Sequence, residues 1–246
     1  TRPDAVLNPG ATTTFEVVVE VPADARADEQ GPTITPVIES KRSLMEIQGE
    51  PYSGLTVESV NDLVLTLVDA PTKLRPGQPN ELQWTITNHG NGAANARLMM
   101  VDLPADWSWW VAFEGSNTTD PVPLGASFDE NHEQQVSLYL SIPLSVPAGS
   151  IHTITVDVMT NGNEPDATPE DNAVEVVMST EAIRVPSLEL VDHSTTAMAG
   201  GTISAQAVVR NDGNAPESTL LSVGRVSSTP PIPGMVVFYS VEGADQ

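Results

Sequence analysis

The chain has 246 residues, of which 39% are apolar and only 17% charged, a balance rich in Thr, Ser, Asn, Pro and Gly that favours strands and turns over helices. Thirty-three acidic against ten basic residues give a net charge of −23, a field that repels nucleic-acid phosphates and anionic lipid headgroups. With Lys41 and Lys73 as its two lysines and no cysteine, the sequence excludes a P-loop phosphate site, disulfides, thiol nucleophiles and Cys-based zinc sites.

No apolar run approaches the roughly 18 to 20 residues that span a bilayer, so no direct membrane insertion is expected of this segment. The chain begins at Thr1 with no basic n-region or apolar h-region, as expected of a processed or excised piece of something longer.

In chain order, the first predicted strand is FEVVVEV, where Phe15, Val17, Val19 and Val21 share one face and Glu16 and Glu20 the other. TITPVIESK from Thr33 follows. Seven further strands are predicted near 63–69, 81–88, 95–103, 107–113, 134–142, 151–160 and 173–179, separated by Pro, Gly and Asn punctuation. In the second of these Leu82, Trp84 and Ile86 share a face, and in the fifth Val136, Leu138, Leu140 and Ile142 do. That number of half-buried strands at that spacing predicts a two-sheet, immunoglobulin-like β-sandwich.

The sequence also repeats itself. LQWTITNHGNGAANARLMM from Leu82 superposes without gaps on AQAVVRNDGNAPESTLLSV from Ala205, and LTLVDAPTKLRPGQ from Leu65 on LELVDHSTTAMAGG from Leu188, at one offset. FEVVVEVPADA from Phe15 lies over VSLYLSIPLSV from Val136, and TITPVIESK over TITVDVMTN from Thr153. The fold class expected is therefore all-β, in tandem antiparallel sandwich units of about 120 residues. On this reading residues 1–58 are the second half of a unit, 61–180 a complete one, and 183–246 the first half of another.

WTITNHGNGAA, VDLPADW, SIPLSVPAGSIHTITV and the acidic, Asn-ended EPDATPEDNAVEVV together resemble the immunoglobulin-like repeats of archaeal and bacterial cell-surface proteins. CARDB-type adhesion-related repeats and the NEW3-type domains that accompany secreted glycosidases are the groups resembled. The resemblance implies a spacer, stalk or adhesive module of a large extracellular protein.

In NHGNGA and NDGNAP, Gly90 and Gly213 are read as turn residues that tolerate positive φ. His89 aligns with Asp212, which argues against a fixed metal ligand there. The turn 161–172, NGNEPDATPEDN, offers Asp166, Glu170 and Asp171 as hard oxygen ligands for calcium, although it lacks the spacing of a dedicated loop and reads equally as a solvated turn. Asn117 opens the sequon Asn-Thr-Thr. LPADWSWWVAF, from Leu103, concentrates three of the four tryptophans. Alternation turns Trp107, Trp109, Val111 and Phe113 towards the core and Ser108, Trp110 and Ala112 away from it, leaving Trp110 as the candidate contact for a glycan or protein partner. Gly234 to Val241 carries Met235, Val237, Tyr239 and Val241 in the matching register.

His89, His132, His152 and His193 are isolated, and neither a HExxH pair nor a G-x-S-x-G elbow occurs. No cofactor is implied beyond a calcium ion, and no enzyme is expected. The leading expectation is a non-enzymatic extracellular or cell-surface structural or adhesive protein, forming a stalk, surface layer or fibre. Its partners would be neighbouring repeats or copies of the same protein, the end half-units being cut from a longer tandem array, closed on one another within the chain (183–246 with 1–58), or completed head to tail by the next chain. A carbohydrate-binding accessory module of a secreted enzyme, with glycans as partners, and a cation-dependent adhesin are the alternatives.

Overall fold

A computed structural model describes residues 5–160 and 166–221. Its strands, in chain order, are β1 (Val37–Glu39), β2 (Glu46–Gln48), β3 (Leu63–Asp69), β4 (Lys73–Leu74), β5 (Pro79–Asn88), β6 (Ala94–Val101) and β7 (Ser108–Phe113). They continue as β8 (Ser116–Thr118), β9 (Val122–Leu124), β10 (Glu133–Ser141), β11 (Ile151–Thr160), β12 (Ala173–Thr180), β13 (Pro186–His193) and β14 (Ala205–Asn211), with one 3-10 turn at Pro169–Asp171 before β12. Among the described residues no helix is long and apolar enough to cross a membrane. The chain is all-β, and it divides into two bodies, 1–183 and 184–246.

The first body holds a sandwich of two five-stranded sheets, ordered β3-β5-β10-β7-β8 and β4-β12-β11-β6-β9. Among these strands every pairing is antiparallel except that of the two-residue β4 beside β12. The order matches the ABED and CFG sheets of an immunoglobulin domain, with β3, β5, β10 and β7 as A, B, E and D and β6, β11 and β12 as C, F and G. One departure is that β9, on the outer edge of β6, follows the β7–β8 hairpin in the chain. Period-two burial makes the two layers meet: Leu63, Leu65, Leu82, Trp84, Ile86, Val136, Leu138 and Leu140 of one sheet face Ala94, Ala96, Leu98, Ile154, Val156, Val158, Val176 and Met178 of the other, all buried.

Short β4, β8 and β9 were not apparent from periodicity, because two or three residues contain too little of a repeat to register. The predicted strand at 15–21 is a correction. Residues 11–20 form no strand, and Phe15, Val17, Val19 and Val21 lie exposed, since an alternating segment becomes a strand only where another strand supplies its hydrogen bonds. Downstream, 30–56 folds back on itself through the bridges Gln30 to Thr56 and Ile34 to Tyr52 and the β1–β2 hairpin. Met235, Val237, Tyr239 and Val241 lie outside the described residues, as does the 161–165 part of the acidic turn.

His152, near the start of β11, meets Trp107 edge-on at 4.9 Å, and its Nε2 lies 2.9 Å from Thr180 Oγ1. Burial holds this imidazole below its ordinary pKa. The unfolded chain therefore accepts a proton near the usual value of about 6.5 that the folded protein resists. Stability is accordingly full above that pH and declines as pH falls through it. The midpoint of urea unfolding is expected to drop between about pH 7.5 and 5.5; His152→Gln should flatten that part of the profile, measured by urea titrations at each pH.

Candidate functional site

Three places on the first body concentrate polar or aromatic side chains, and the first is the turn after β5. Asn88 is completely buried. Its Nδ2 donates to the carbonyls of Gly92 and Gly125, both at 2.8 Å, and its Oδ1 accepts from the Gly90 amide at 2.9 Å. The role assigned to Gly90 changes accordingly. Gly90 is not among the left-handed glycines; a Cβ there would lie 2.0 Å from the Val60 carbonyl oxygen, so glycine is needed for close approach.

That approach ties the turn to the chain preceding the sandwich. Asn91 Oδ1 accepts from the Val60 amide at 2.8 Å, and its Nδ2 donates to Glu58 and Ala25 carbonyls at 3.0 and 3.3 Å. The Ala27 amide donates to the Asn91 carbonyl at 3.1 Å. Beside it, Arg26 pairs with Asp129 at 3.0 Å and lies 4.1 Å above the Phe128 ring. The Arg26 hydrogen bond, followed by one from the Ala126 amide, holds the Asp129 carboxyl below the usual carboxylate range. Residues 5–58 are thereby fastened to the sandwich through Arg26, Ala27 and Asn91. Sequence reasoning placed Asn91 in a turn but did not detect this joint, whose partners lie 31 to 66 residues away.

The second place is the acidic turn. Asp166 and Asp171 approach each other and Asp62, with one oxygen of each inside a 4.8 Å sphere of mutual distance. Glu170, the third predicted ligand, is outside this trio and exposed. Asp62, the residue missed from sequence, arrives because Asn61 bridges Asp166 in parallel. The carboxylates also serve the backbone: Asp166 accepts from the amides of Leu63 at 2.9 Å and Thr168 at 3.1 Å. The Thr168 hydroxyl reaches Asp62 and Asp171. These bonds lock the 166–171 turn against the start of β3.

The third is the outer face of the β3-β5-β10-β7-β8 sheet. Trp107 is buried, and Trp109, Val111 and Phe113 pack on the core. Trp110 points the other way. It is half-buried and stacks on Tyr139 across the β7–β10 pair, with centroids 5.4 Å apart and planes inclined by 14°. The pair borders a concavity of about 560 Å³ that includes Ala112, Glu114, Asn117, Glu81, Gln83, Gln135 and Ser137. Asn117 is exposed on β8, immediately after a two-residue turn in which Glu114 and Gly115 both have positive φ, the type I′ geometry that glycine permits.

No protein-family profile matches the chain, and no curated protein sequence matches it. Among solved structures it is similar to the CARDB domain of a Pyrococcus furiosus protein, crystallised in complex with di-metal ions, at 17% identity and TM-score 0.32, over 52% of this chain and 94% of that one. AvmM, which catalyses macrocyclization in alchivemycin A biosynthesis, is similar at 15% identity and TM-score 0.34, over 53% and 93%. The SrpA adhesin of Streptococcus sanguinis is similar at 12% identity and TM-score 0.33, over 63% and 93%. These likenesses are at low identity, and they assign no activity.

Removing the Asn91 carboxamide unmakes three hydrogen bonds at a partly exposed joint. Asn91→Ala is expected to lower stability by about 1–2 kcal/mol in chemical denaturation and to speed proteolysis between residues 25 and 60. Asn95→Ala, on the exposed face of β6, should change neither.

Proposed function

We propose that the chain is a non-enzymatic, extracellular segment of a tandem β-sandwich array, structural or adhesive in role, whose half-units are covered by the complementary halves of neighbouring repeats or of other copies. The supporting observation is that the second body reproduces the β3–β5 edge of the sandwich residue for residue. Leu65 pairs with Ile86 and Leu188 with Val209; Leu63 pairs with Asn88 and Pro186 with Asn211. Both pairs break register at the same place, between Leu67 and Asp69 and between Leu190 and Asp192. The turn is repeated as well. Asn211 Nδ2 donates to the Ala215 carbonyl at 2.7 Å and its Oδ1 accepts from the Gly213 amide at 3.1 Å, while the Asp212 amide bonds the Val185 carbonyl as His89 bonds Asp62.

What differs is burial. Leu65 is 4% exposed and Leu188, its counterpart, 72%; Ile86 is fully buried and Val209 38% exposed. At the other end Phe15 is 56% exposed where its counterpart Val136 is 3%. These side chains have the spacing of core residues, and among the described residues no opposing sheet covers them. In sequence, FEVVVEVPADA and TITPVIESK match the late half of the unit, the half that the β13–β14 hairpin would need, so on this reading a second chain offers the complement. The acidic surface keeps the outer faces hydrated and soluble, which suits a segment outside the cell.

Light scattering coupled to size-exclusion chromatography tests this. The wild-type chain is expected to grow in mass with concentration. Val19→Asp and Leu188→Asp should each be monomeric alone and form a dimer when mixed, since each retains the surface the other has lost. A wild-type chain that stays monomeric, or variants that fail to pair, would contradict the proposal.

A further inference from the structure

The sequon and the outward-facing tryptophan, far apart in meaning when read from sequence, lie on one surface. We infer that Asn117 carries an N-linked glycan whose first rings lie in the trough beside Trp110 and Tyr139, so that the protein's own carbohydrate covers its aromatic pair.

The sheet register defines the trough. Gln83, Ser137, Ala112 and Asn117 are successive cross-strand partners on β5, β10, β7 and β8. Ser137 and Ala112, small side chains, make the floor between Gln83 and Asn117. The neighbouring row, Glu81, Tyr139 and Trp110, forms one wall, and Gln135 and Glu114 border the other side of the concavity. With strands about 4.8 Å apart, the floor runs roughly 14 Å from β8 to β5. A sugar on Asn117 has the small Ala112 in front of it and the Trp110 ring beside it.

The lining suits a neutral hexose or N-acetylhexosamine. Apolar C–H faces of a pyranose pack on aromatic rings, and Gln83, Gln135 and Ser137 offer hydrogen bonds to its hydroxyls. Glu81, which already accepts from Ser137 Oγ at 2.7 Å, and Glu114 favour hydroxyl donors and repel an acidic sugar. The sequon stands on a tight hairpin with Asn117 exposed, accessible for attachment.

The full chain, secreted from a eukaryotic host that N-glycosylates, provides the test. Intact-mass analysis should find Asn117 occupied. Enzymatic removal of the glycan should lower the melting temperature of the wild-type chain by about 2–4 °C, the scale of one modest contact in a domain of this size, and should leave Trp110→Ala unchanged. Ala112→Glu, which fills the floor and retains the ring pair, should abolish the glycan's effect in the same way. An unoccupied Asn117, or a glycan effect that persists in both variants, would overturn the inference.

Discussion

Asn88 is fully buried at the end of β5, and its carboxamide is bonded at both ends: two donors to carbonyls of two different loops, one acceptor to an amide two residues on. Aspartate could not donate these bonds, and leucine would leave two buried carbonyls and an amide without partners, each a cost of about 1–3 kcal/mol. The consequence reaches beyond the turn. By holding Gly90 against the Val60 carbonyl, Asn88 positions Asn91, and Asn91 fastens the chain from Ala25 to Val60. One buried amide thus couples the core of a unit to the segment that precedes it.

The same device at Asn211 stands in different surroundings. Its bonds to Ala215 and Gly213 are present, yet the strands it joins expose leucines and valines that are core residues in the sandwich. Local hydrogen bonding therefore sets the turn and the register, including the shared bulge, without help from the opposing sheet. On the proposed reading, burial is a separate step that requires the other half of the unit. This separation is the physical basis for reading the half-units as interaction surfaces.

Much of the sandwich was legible because its long strands alternate: Leu82, Trp84 and Ile86, or Leu138 and Leu140, declare both strand and face. The tryptophan cluster resolved by the same rule into a core set and an outward Trp110. What alternation cannot express is pairing. Phe15 to Val21 alternate as well as any strand in the chain, yet form none. Tyr139 is the ring on which Trp110 stacks, but nothing in the sequence links them until β7 is placed beside β10. Asp62 joins Asp166 and Asp171 across more than one hundred residues, whereas neighbouring Glu170 faces solvent. The Asn-Gly turns were recognised as turns, although the need for Gly90 arises from Val60, a residue no local rule connects to it.

The central claim is that β13 and β14 form a half-unit that gains its core from a complementary half. Native-state hydrogen exchange of the β13 and β14 amides, followed as a function of protein concentration, tests it most directly. Their protection is predicted to be slight in dilute solution and to rise with concentration towards that of β3 and β5. Protection that is the same at every concentration would contradict it.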